Sequence, residues 1–297
     1  MPVLTVYPRG CTGGFAPSTT KAPSLRGDVA GWSSSAARRN ARFTMSVDPR
    51  KLPPGGVALS LTVRDVPESP EAWGRLRTAF LNRLRRTGLD RYHWVVEWQR
   101  RRAPHLHLSV WLVGLDPAQA GAVSVRHWLD LAAAYRPRAS GQFASPIWGF
   151  DGWSRYCAKH VSRGAGHAQR SPEYRPESWK RSGRMWGKGG DWPTAETRLE
   201  LDTRSFHRLR RWLHRWALDQ ARREVATLPA CTKRRAVAEK RARYLVHRLR
   251  NVAPERSAVL GFGEWVTAPV LARMLDVLVD QGAELRADEQ AAEEVES

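Results

Sequence analysis

The amino-acid sequence predicts an α+β fold, in which an antiparallel sheet carries helices on one face. Three segments alternate apolar and polar residues in the way of half-buried strands: VALSLTV (57–63), HWVVEW (93–98) and PHLHLSVW (104–111). Segments with helical spacing lie between and after them, so the order is strand, helix, strand, strand, helix. A length of 297 residues, 42% apolar content and 14 tryptophans indicate a chain that can bury a sizeable core.

The first strand and helix have clear local signals. Leu59, Leu61 and Val63 alternate with smaller or polar residues in the first strand. The helix predicted for residues 69–88 has Ser69 as a cap, Pro70 in its first turn and Gly88 at its end. Its apolar stripe comprises Trp73, Leu76, Phe80, Leu81 and Leu84.

The remaining elements follow the same patterns. Residues 93–98 and 104–111 form a predicted hairpin whose tip is basic, and residues 125–137 fit a second helix. A further strand is possible near 143–148. A third helix is predicted for residues 151–164, which begin with Asp151 and end with Gly164. The segment ARFTMSV (41–47) fits either an additional first strand or a lead-in to the sheet.

Composition divides the chain into four predicted regions. Residues 1–40, rich in Gly, Ser, Pro and Arg, are expected to be a mostly disordered basic arm, and residues 41–200 the main domain. Residues 201–279 are predicted to be a basic helical region, since positions 203–250 hold 15 Lys or Arg against three Asp or Glu. Residues 280–297 form an acidic tail, with seven acidic residues and one basic residue.

The charge of the chain points to a polyanionic partner. Lys and Arg number 49 against 29 Asp and Glu, which gives a net charge of +20 and a pI of about 11.0. Nucleic acid is the usual partner of such a surface, although a basic surface without that role is the alternative. The three cysteines form neither a disulfide framework nor a zinc pattern. With no apolar run long enough to span a membrane, a soluble cytoplasmic protein is expected.

The predicted hairpin carries a candidate metal site. Because strand side chains alternate between faces, His105, His107 and Ser109 share one face, and Glu97 shares the matching face of the preceding strand with His93. Imidazole and carboxylate ligands without thiolate suit Mg²⁺ or Mn²⁺ rather than a structural zinc ion. The alternative is a pair of half-exposed surface histidines with no ligand role.

The third predicted helix carries a candidate nucleophile. Tyr156, Lys159, His160 and Arg163 lie at i, i+3, i+4 and i+7 and so share one face. An ordinary amphipathic helix with a basic solvated face explains the same pattern. Together with the metal site, however, the tyrosine hydroxyl could attack a phosphodiester, and Lys159 could stabilise the phenolate or orient the phosphate.

These motifs resemble those of the HUH endonuclease superfamily. PHLHLSVW is similar to its His-hydrophobic-His motif, RYCAKHVSR (155–163) to its Tyr-x-x-Lys helix, and VALSLTV to its first strand motif. The order of these motifs is that of rolling-circle replication initiators of phages and plasmids, and GRMWG (183–187) is also similar to theirs. The resemblance covers roughly residues 40–190. HUH transposases, a related class, tend to be shorter with a late tyrosine or to carry extra domains, and neither pattern suits this chain.

The resemblance implies a function and a role for each site residue. His105 and His107 would be metal ligands with Glu97 as the third, Tyr156 the nucleophile and Lys159 its helper. The chain would nick and rejoin single-stranded origin DNA through a 5′-phosphotyrosine. His160 stands where many phage members have a second tyrosine, which puts handover between two tyrosines of one subunit in doubt. The chain has no Walker A motif, so a host helicase would unwind the DNA.

Several residues are candidates for DNA contact. Arg100, Arg101 and Arg102 at the hairpin tip are expected to clamp phosphates beside the metal, and His160 and Arg163 to contact DNA from the third helix. Residues 203–250 could grip duplex DNA or form an oligomerisation bundle. Bases could stack on Trp98, Trp148, Trp153 or Trp186, although core packing is favoured for Trp98. From a different class, the alternative function is a non-catalytic DNA- or RNA-binding protein, such as a decayed initiator or repressor.

Overall fold

A computed structural model describes residues 1–15, 31–147, 168–251 and 262–287. The described residues form six α-helices: α1 (Ser34–Ser46), α2 (Pro70–Arg86), α3 (Pro117–Leu131), α4 (Thr203–Thr227), α5 (Lys233–Asn251) and α6 (Ala268–Asp280). They also form ten strands: β1 (Pro2–Tyr7), β2 (Gly10–Phe15), β3 (Val57–Thr62), β4 (Leu89–Trp98), β5 (Pro104–Leu112), β6 (Phe143–Pro146), β7 (Trp186–Gly189), β8 (Thr197–Leu201), β9 (Phe262–Glu264) and β10 (Leu285–Ala287).

The chain divides into two units, each with its own five-stranded antiparallel sheet. One unit, here the sheet-hairpin unit, comprises residues 23–44 and 48–194. The other, the terminal unit, comprises residues 1–22, 45–47 and 195–297. The boundary near residue 195 replaces the predicted boundary at residue 200, which would cut through β8.

The sheet of the sheet-hairpin unit has the strand order β6-β3-β5-β4-β7, and every neighbouring pair is antiparallel. Helices α2 and α3 pack on one face, which confirms the predicted α+β architecture. The core on that face is formed by the alternating apolar residues of the strands and by the helix stripe: Val57, Leu59, Leu61, Trp94, Val96, Trp98, Leu106, Leu108, Val110, Trp73, Leu76, Phe80, Leu84 and Trp128.

Helix α2 agrees with its sequence signals. The Ser69 side chain accepts a hydrogen bond from the Ala72 backbone N–H, and Gly88 follows the helix with φ 93°. Its Trp73 and Phe80 rings meet the ring of Trp128 edge to face, at 5.7 and 5.4 Å between centroids. Such aromatic pairs contribute roughly 0.5–1.5 kcal/mol each beyond the burial of their area. Trp128 therefore locks α2, α3 and the sheet into one core.

Two predicted elements have different bounds in the structure. Helix α3 begins at Pro117, eight residues before the predicted start, because Asp116 and Gln119 form a reciprocal capping box ahead of it. Residues 41–46, considered as a strand, are the end of α1, which begins beside Ser33, whose hydroxyl accepts from the Ala36 N–H. The possible strand near 143–148 is present as β6, whereas the predicted helix 151–164 lies outside the described residues.

The structure corrects the prediction of a disordered arm for the described parts of residues 1–40, namely residues 1–15 and 31–40. The sheet of the terminal unit has the order β10-β8-β1-β2-β9, so residues 2–15 are a hairpin in the middle of that sheet, whereas residues 34–40 belong to α1. The glycine content that suggested disorder has a packing reason: a Cβ on Gly13 would lie 2.4 Å from the Phe262 ring. Close approach of β2 to an aromatic ring, rather than flexibility, accounts for this glycine.

The predicted basic helical region, 201–279, is part of the same α+β unit. Helix α4 packs on the sheet through Phe206, Leu209 and Leu213, and α5 packs on α4 through Leu245. The predicted acidic tail, 280–297, begins at the last residue of α6, and its residues 285–287 form strand β10. No helix in the described part of the chain is long and apolar enough to cross a membrane.

Burial makes the first cysteine a poor nucleophile. Cys11 is fully buried in β2 opposite Glu264 of β9. Burial, with a smaller contribution from the Glu264 charge, raises the pKa of the Cys11 thiol to about 12. The thiol is therefore protonated at neutral pH, and its role is packing.

Candidate active site

We call the sheet β6-β3-β5-β4-β7 the hairpin sheet, because it contains the β4–β5 hairpin. The candidate site lies on the face of this sheet opposite α2 and α3. Register pairs place His105 directly across from Glu97 and from Thr62, and place His107 across from Val95 and Ser60. The alternation that buries the leucines of β5 on the core side therefore puts both histidines and the glutamate on the other side. The shared face predicted for these three residues is present.

The two histidines and the glutamate are adjacent on this face. The Nε2 atom of His107 is 3.7 Å from the Oε2 atom of Glu97, and the rings of His105 and His107 are 4.3 Å apart between centroids. Glu97 is fully buried, His107 is nearly so, and His105 is half-buried. The site thus opens toward solvent at His105, and its carboxylate is at the protected end.

Ser60 of β3 orients the His107 ring. Its Oγ atom lies 2.9 Å from Nδ1 of His107, which leaves Nε2 as the nitrogen that faces Glu97. When Nδ1–H donates to the serine oxygen, the Nε2 lone pair is available to a cation, which is the usual arrangement around metal-bound histidines. Sequence analysis gave Ser60 no role.

The position of Ser60 leads to a prediction. Replacing Ser60 with alanine should weaken the binding of added Mn²⁺ by roughly 10- to 100-fold, because the His107 ring loses the partner that fixes its orientation. Isothermal titration calorimetry with Mn²⁺ measures the change. Ser124→Ala, which removes a buried hydroxyl of α3 on the other side of the sheet, is the matched control. An unchanged Mn²⁺ affinity in Ser60→Ala contradicts the proposed orientation.

Two residues that sequence analysis missed complete the buried end of the site. The Nε atom of Arg170 is 3.4 Å from Oε1 of Glu97, and both side chains are fully buried. The Arg170 guanidinium lies over the Trp32 ring at 3.8 Å, and Trp32 donates its indole N–H to the Val96 carbonyl at 2.9 Å. Sequence separations of 73 and 64 residues from their partners on β4 left no local signal for either contact.

His93 is on the same face but belongs to a different environment. Its Nε2 atom lies 2.8 Å from Oδ1 of Asn40, and its ring packs against Phe43 of α1 at 5.3 Å. Four residues along the strand separate it from Glu97, a distance of about 13 Å. His93 therefore anchors α1 to the sheet and lies away from the proposed ligands.

The donor set fits a hard or borderline divalent cation. Two ligands of one such ion, each bound at roughly 2.1 Å, lie between about 3.0 and 4.2 Å apart, and the separation of His107 and Glu97 is within this range. Within the described ranges no three His, Cys, Asp or Glu side chains are already gathered as a complete metal cluster. Of the three proposed ligands, His107 and Glu97 are already at a separation that suits one ion, and His105 lies beside His107.

The three arginines predicted to clamp phosphates at the hairpin tip have different environments in the structure. Arg101 turns back to the protein, where its guanidinium donates to the Val63 and Arg64 carbonyls. Partial burial lowers the pKa of Arg101, and the nearby Asp65 carboxylate opposes that shift. Arg102 pairs with Glu177. All three arginines are exposed, but Arg101 and Arg102 are each held by a contact within the protein, and that of Arg101 stabilises the hairpin.

Tyr156, Lys159, His160 and Arg163 lie outside the described residues, as do Trp148 and Trp153. The described chain on either side of that segment is attached to the hairpin sheet. Before it, Pro146 of β6 pairs with Val57 of β3, and after it, Arg170 contacts Glu97. Trp98 is buried in the core, and Trp186 of β7 packs beside Phe43. The GRMWG sequence leads into and forms part of β7, which pairs with β4.

Helix α5 carries a basic surface within the terminal unit. We define this α5 surface by five exposed residues at helical spacing: Lys233, Val237, Lys240, Arg241 and Tyr244. Val237 and Tyr244 are 69% and 59% exposed, so apolar and aromatic groups stand among the cations. This combination is typical of surfaces that contact nucleic-acid backbone and sugar.

Comparison with known proteins identifies relatives along nearly the whole chain. The replication-associated protein G2P of Pseudomonas phage Pf3 is 39% identical over 278 residues, which cover 91% of this chain and 93% of that protein. A putative replication protein of Xylella fastidiosa strain 9a5c is 38% identical over 95% of this chain and 98% of its own length. Another, from strain Temecula1, is 42% identical over 75% and 88% respectively.

Two other comparisons found nothing. No family model matches the chain, and no solved structure matches it. The three relatives nevertheless share more than a third of their residues with this chain over most of their lengths. The chain therefore belongs to the family of replication proteins that includes the replication-associated protein of phage Pf3.

Proposed function

We propose that this replication protein starts rolling-circle replication by nicking and rejoining single-stranded origin DNA in a reaction that depends on a divalent cation. The single observation that carries the proposal is the placement of His105, His107 and Glu97 on one face of the hairpin sheet. The names of its relatives place them in replication, which agrees with this role. The net charge of +20 supplies the attraction to DNA.

The proposed chemistry is a transesterification with Tyr156 as the nucleophile. The Tyr156 oxygen attacks the phosphorus, and the bond from phosphorus to the 3′ oxygen breaks. A 5′-phosphotyrosine and a free 3′ hydroxyl result, with the phenol proton replaced by the phosphorus bond and a proton gained by the 3′ oxygen. Rejoining reverses these steps, because the ester bond is conserved in the phosphotyrosine.

Separate groups of residues are proposed to bind the cation, to stabilise the nucleophile and to contact DNA. His105, His107 and Glu97 would hold Mg²⁺ or Mn²⁺, which when bound polarises a phosphate oxygen and neutralises developing charge. Lys159 would stabilise the phenolate form of Tyr156, because a tyrosine hydroxyl is protonated at neutral pH and is then a weak nucleophile. Arg100, His160 and Arg163 would contact the DNA strand. His160 in place of a second tyrosine implies that termination uses a second subunit or the released 3′ hydroxyl.

Covalent capture tests this function. Single-stranded oligonucleotides that tile the DNA element encoding the chain are labelled at their 3′ ends and incubated with the protein and Mn²⁺. We expect one sequence to yield a labelled protein band on a denaturing gel, and EDTA to abolish it. If the protein shifts these oligonucleotides in native gels but never links to any, a non-catalytic DNA-binding protein is the correct description.

The α5 surface is proposed to add affinity for the duplex part of the origin. Replacing Lys233, Lys240 and Arg241 with glutamine should weaken duplex binding and reduce the slope of log affinity against log salt by about one for each phosphate that is no longer neutralised. Fluorescence anisotropy at several salt concentrations measures the slope. The control removes the same charge from α2, through Arg75, Arg85 and Arg86, which are exposed. Equal effects of the two variants would mean that general charge alone attracts the duplex.

A further inference from the structure

We propose that Arg170 is a positioning residue that holds Glu97 so that only one carboxylate oxygen faces the cation. This inference rests on the proposed metal-dependent function. It assigns Oε2 of Glu97 as the single oxygen that this residue offers to the cation, and it gives Arg170 and Trp32 a role in selecting which cation is accepted.

The two oxygens of Glu97 face different partners. Oε1 lies 3.4 Å from the Arg170 Nε atom, whereas Oε2 lies 3.7 Å from the His107 Nε2 atom. Both Glu97 and Arg170 have side chains with no exposed surface. Rotation of the carboxylate to present both oxygens to an ion beside His107 would move Oε1 away from Arg170 and weaken their ion pair.

Arg170 is itself positioned by Trp32, which is hydrogen-bonded to β4, the strand that carries Glu97. Its guanidinium stacks at 3.8 Å on the Trp32 ring, and the Trp32 indole N–H donates to the carbonyl of Val96, the residue before Glu97. The contacts thus form a closed circuit from Val96 through Trp32 and Arg170 to Glu97. Because the circuit begins and ends at neighbouring residues of β4, it fixes the arginine relative to the carboxylate.

A single carboxylate oxygen has a consequence for the choice of cation. Mg²⁺ and Mn²⁺ take six ligands in compact octahedral geometry, whereas Ca²⁺ takes six to eight oxygens and readily uses both oxygens of one carboxylate. By keeping Oε1 engaged, Arg170 would disfavour Ca²⁺ relative to Mn²⁺. The role of Arg170 is therefore expected to be visible in metal binding itself, without any DNA or chemistry.

The test measures Mn²⁺ and Ca²⁺ binding to the full-length protein by isothermal titration calorimetry, with Mn²⁺ binding repeated by electron paramagnetic resonance. In Arg170→Gln we expect Mn²⁺ affinity to fall roughly 10-fold and the preference for Mn²⁺ over Ca²⁺ to narrow. Arg170→Lys, which retains a cation, should restore part of both, and it also keeps the test open if Arg170→Gln does not fold. Arg77→Gln is the matched control, since Arg77 stacks on Trp94 at 4.0 Å on the other face of the same sheet.

The outcomes separate this inference from the proposed function. If the wild-type protein binds Mn²⁺ and folded Arg170 variants keep its affinity and its preference over Ca²⁺, the positioning role is overturned while the metal site stands. The role is also overturned if Arg77→Gln changes metal binding as much as Arg170→Gln does. If the wild-type protein binds no Mn²⁺, the proposed metal site fails, and the role of Arg170 fails with it.

Discussion

Replacing Tyr156 with phenylalanine is expected to abolish the covalent protein–DNA adduct and to reduce nicking by more than about 1,000-fold, since the attacking oxygen is removed. Binding of the uncleaved strand should be unchanged, because backbone contacts by cations supply most of the affinity. The measurement is the yield of 3′-labelled DNA linked to protein on a denaturing gel, with native gels run in parallel.

Tyr174→Phe is the matched control for the substitution of Tyr156. Tyr174→Phe removes the same hydroxyl from a half-buried tyrosine that packs against the core of the sheet-hairpin unit, and its adduct yield should equal that of the wild type. Peptide mapping of the adduct should locate the nucleotide on the peptide that contains residue 156. An adduct that survives in Tyr156→Phe, or that maps to a different tyrosine, contradicts the assignment of the nucleophile.

Replacing His107 with alanine should reduce nicking by more than about 100-fold, an effect larger than that of losing a supporting residue such as Ser60. The reason is that His107 offers a nitrogen 3.7 Å from Glu97 and its ring is oriented by the Ser60 hydroxyl. Single-stranded DNA binding should be retained. The rate of nicking at saturating Mn²⁺ and the dissociation constant for the uncleaved strand measure the two effects separately.

His127→Ala is the control for that substitution. His127 is a half-buried histidine of α3 whose Nε2 atom lies 3.1 Å from the Thr87 hydroxyl, on the helical side of the sheet. Its loss should leave the Mn²⁺ dependence of nicking unchanged. If His107→Ala loses DNA binding along with nicking, or if His127→Ala is equally inactive, the division between metal ligands and DNA contacts is contradicted.

The part of the fold around the site was predictable because its signals are local. Period-two alternation in β3 and β5 fixed which side chains face the core, and the odd-length hairpin loop put Glu97 opposite His105. The cap at Ser69 and the turn at Gly88 fixed α2. Each of these features depends on residues within a few positions of one another, so the sequence pattern contains them directly.

The features that sequence analysis missed depend on distant partners or on unusual packing. Arg170 and Trp32 have roles only because they meet β4, and nothing in their own neighbourhood indicates it. Sequence analysis assigned Arg101 to phosphate contact because it had no acceptor in its own part of the chain. Its acceptors in the structure are the carbonyls of Val63 and Arg64, which belong to another loop. The β1–β2 hairpin resembled a disordered arm because Gly13 serves close packing against Phe262.

The central claim is that His105, His107 and Glu97 together hold the cation that the reaction needs. Anomalous diffraction from crystals soaked in Mn²⁺, recorded at the manganese absorption edge, locates the ion directly. The account predicts one peak within bonding distance of Nε2 of His107 and Oε2 of Glu97, with a His105 nitrogen as a further ligand. A peak elsewhere, or no peak beside well-ordered histidines at saturating Mn²⁺, would contradict it.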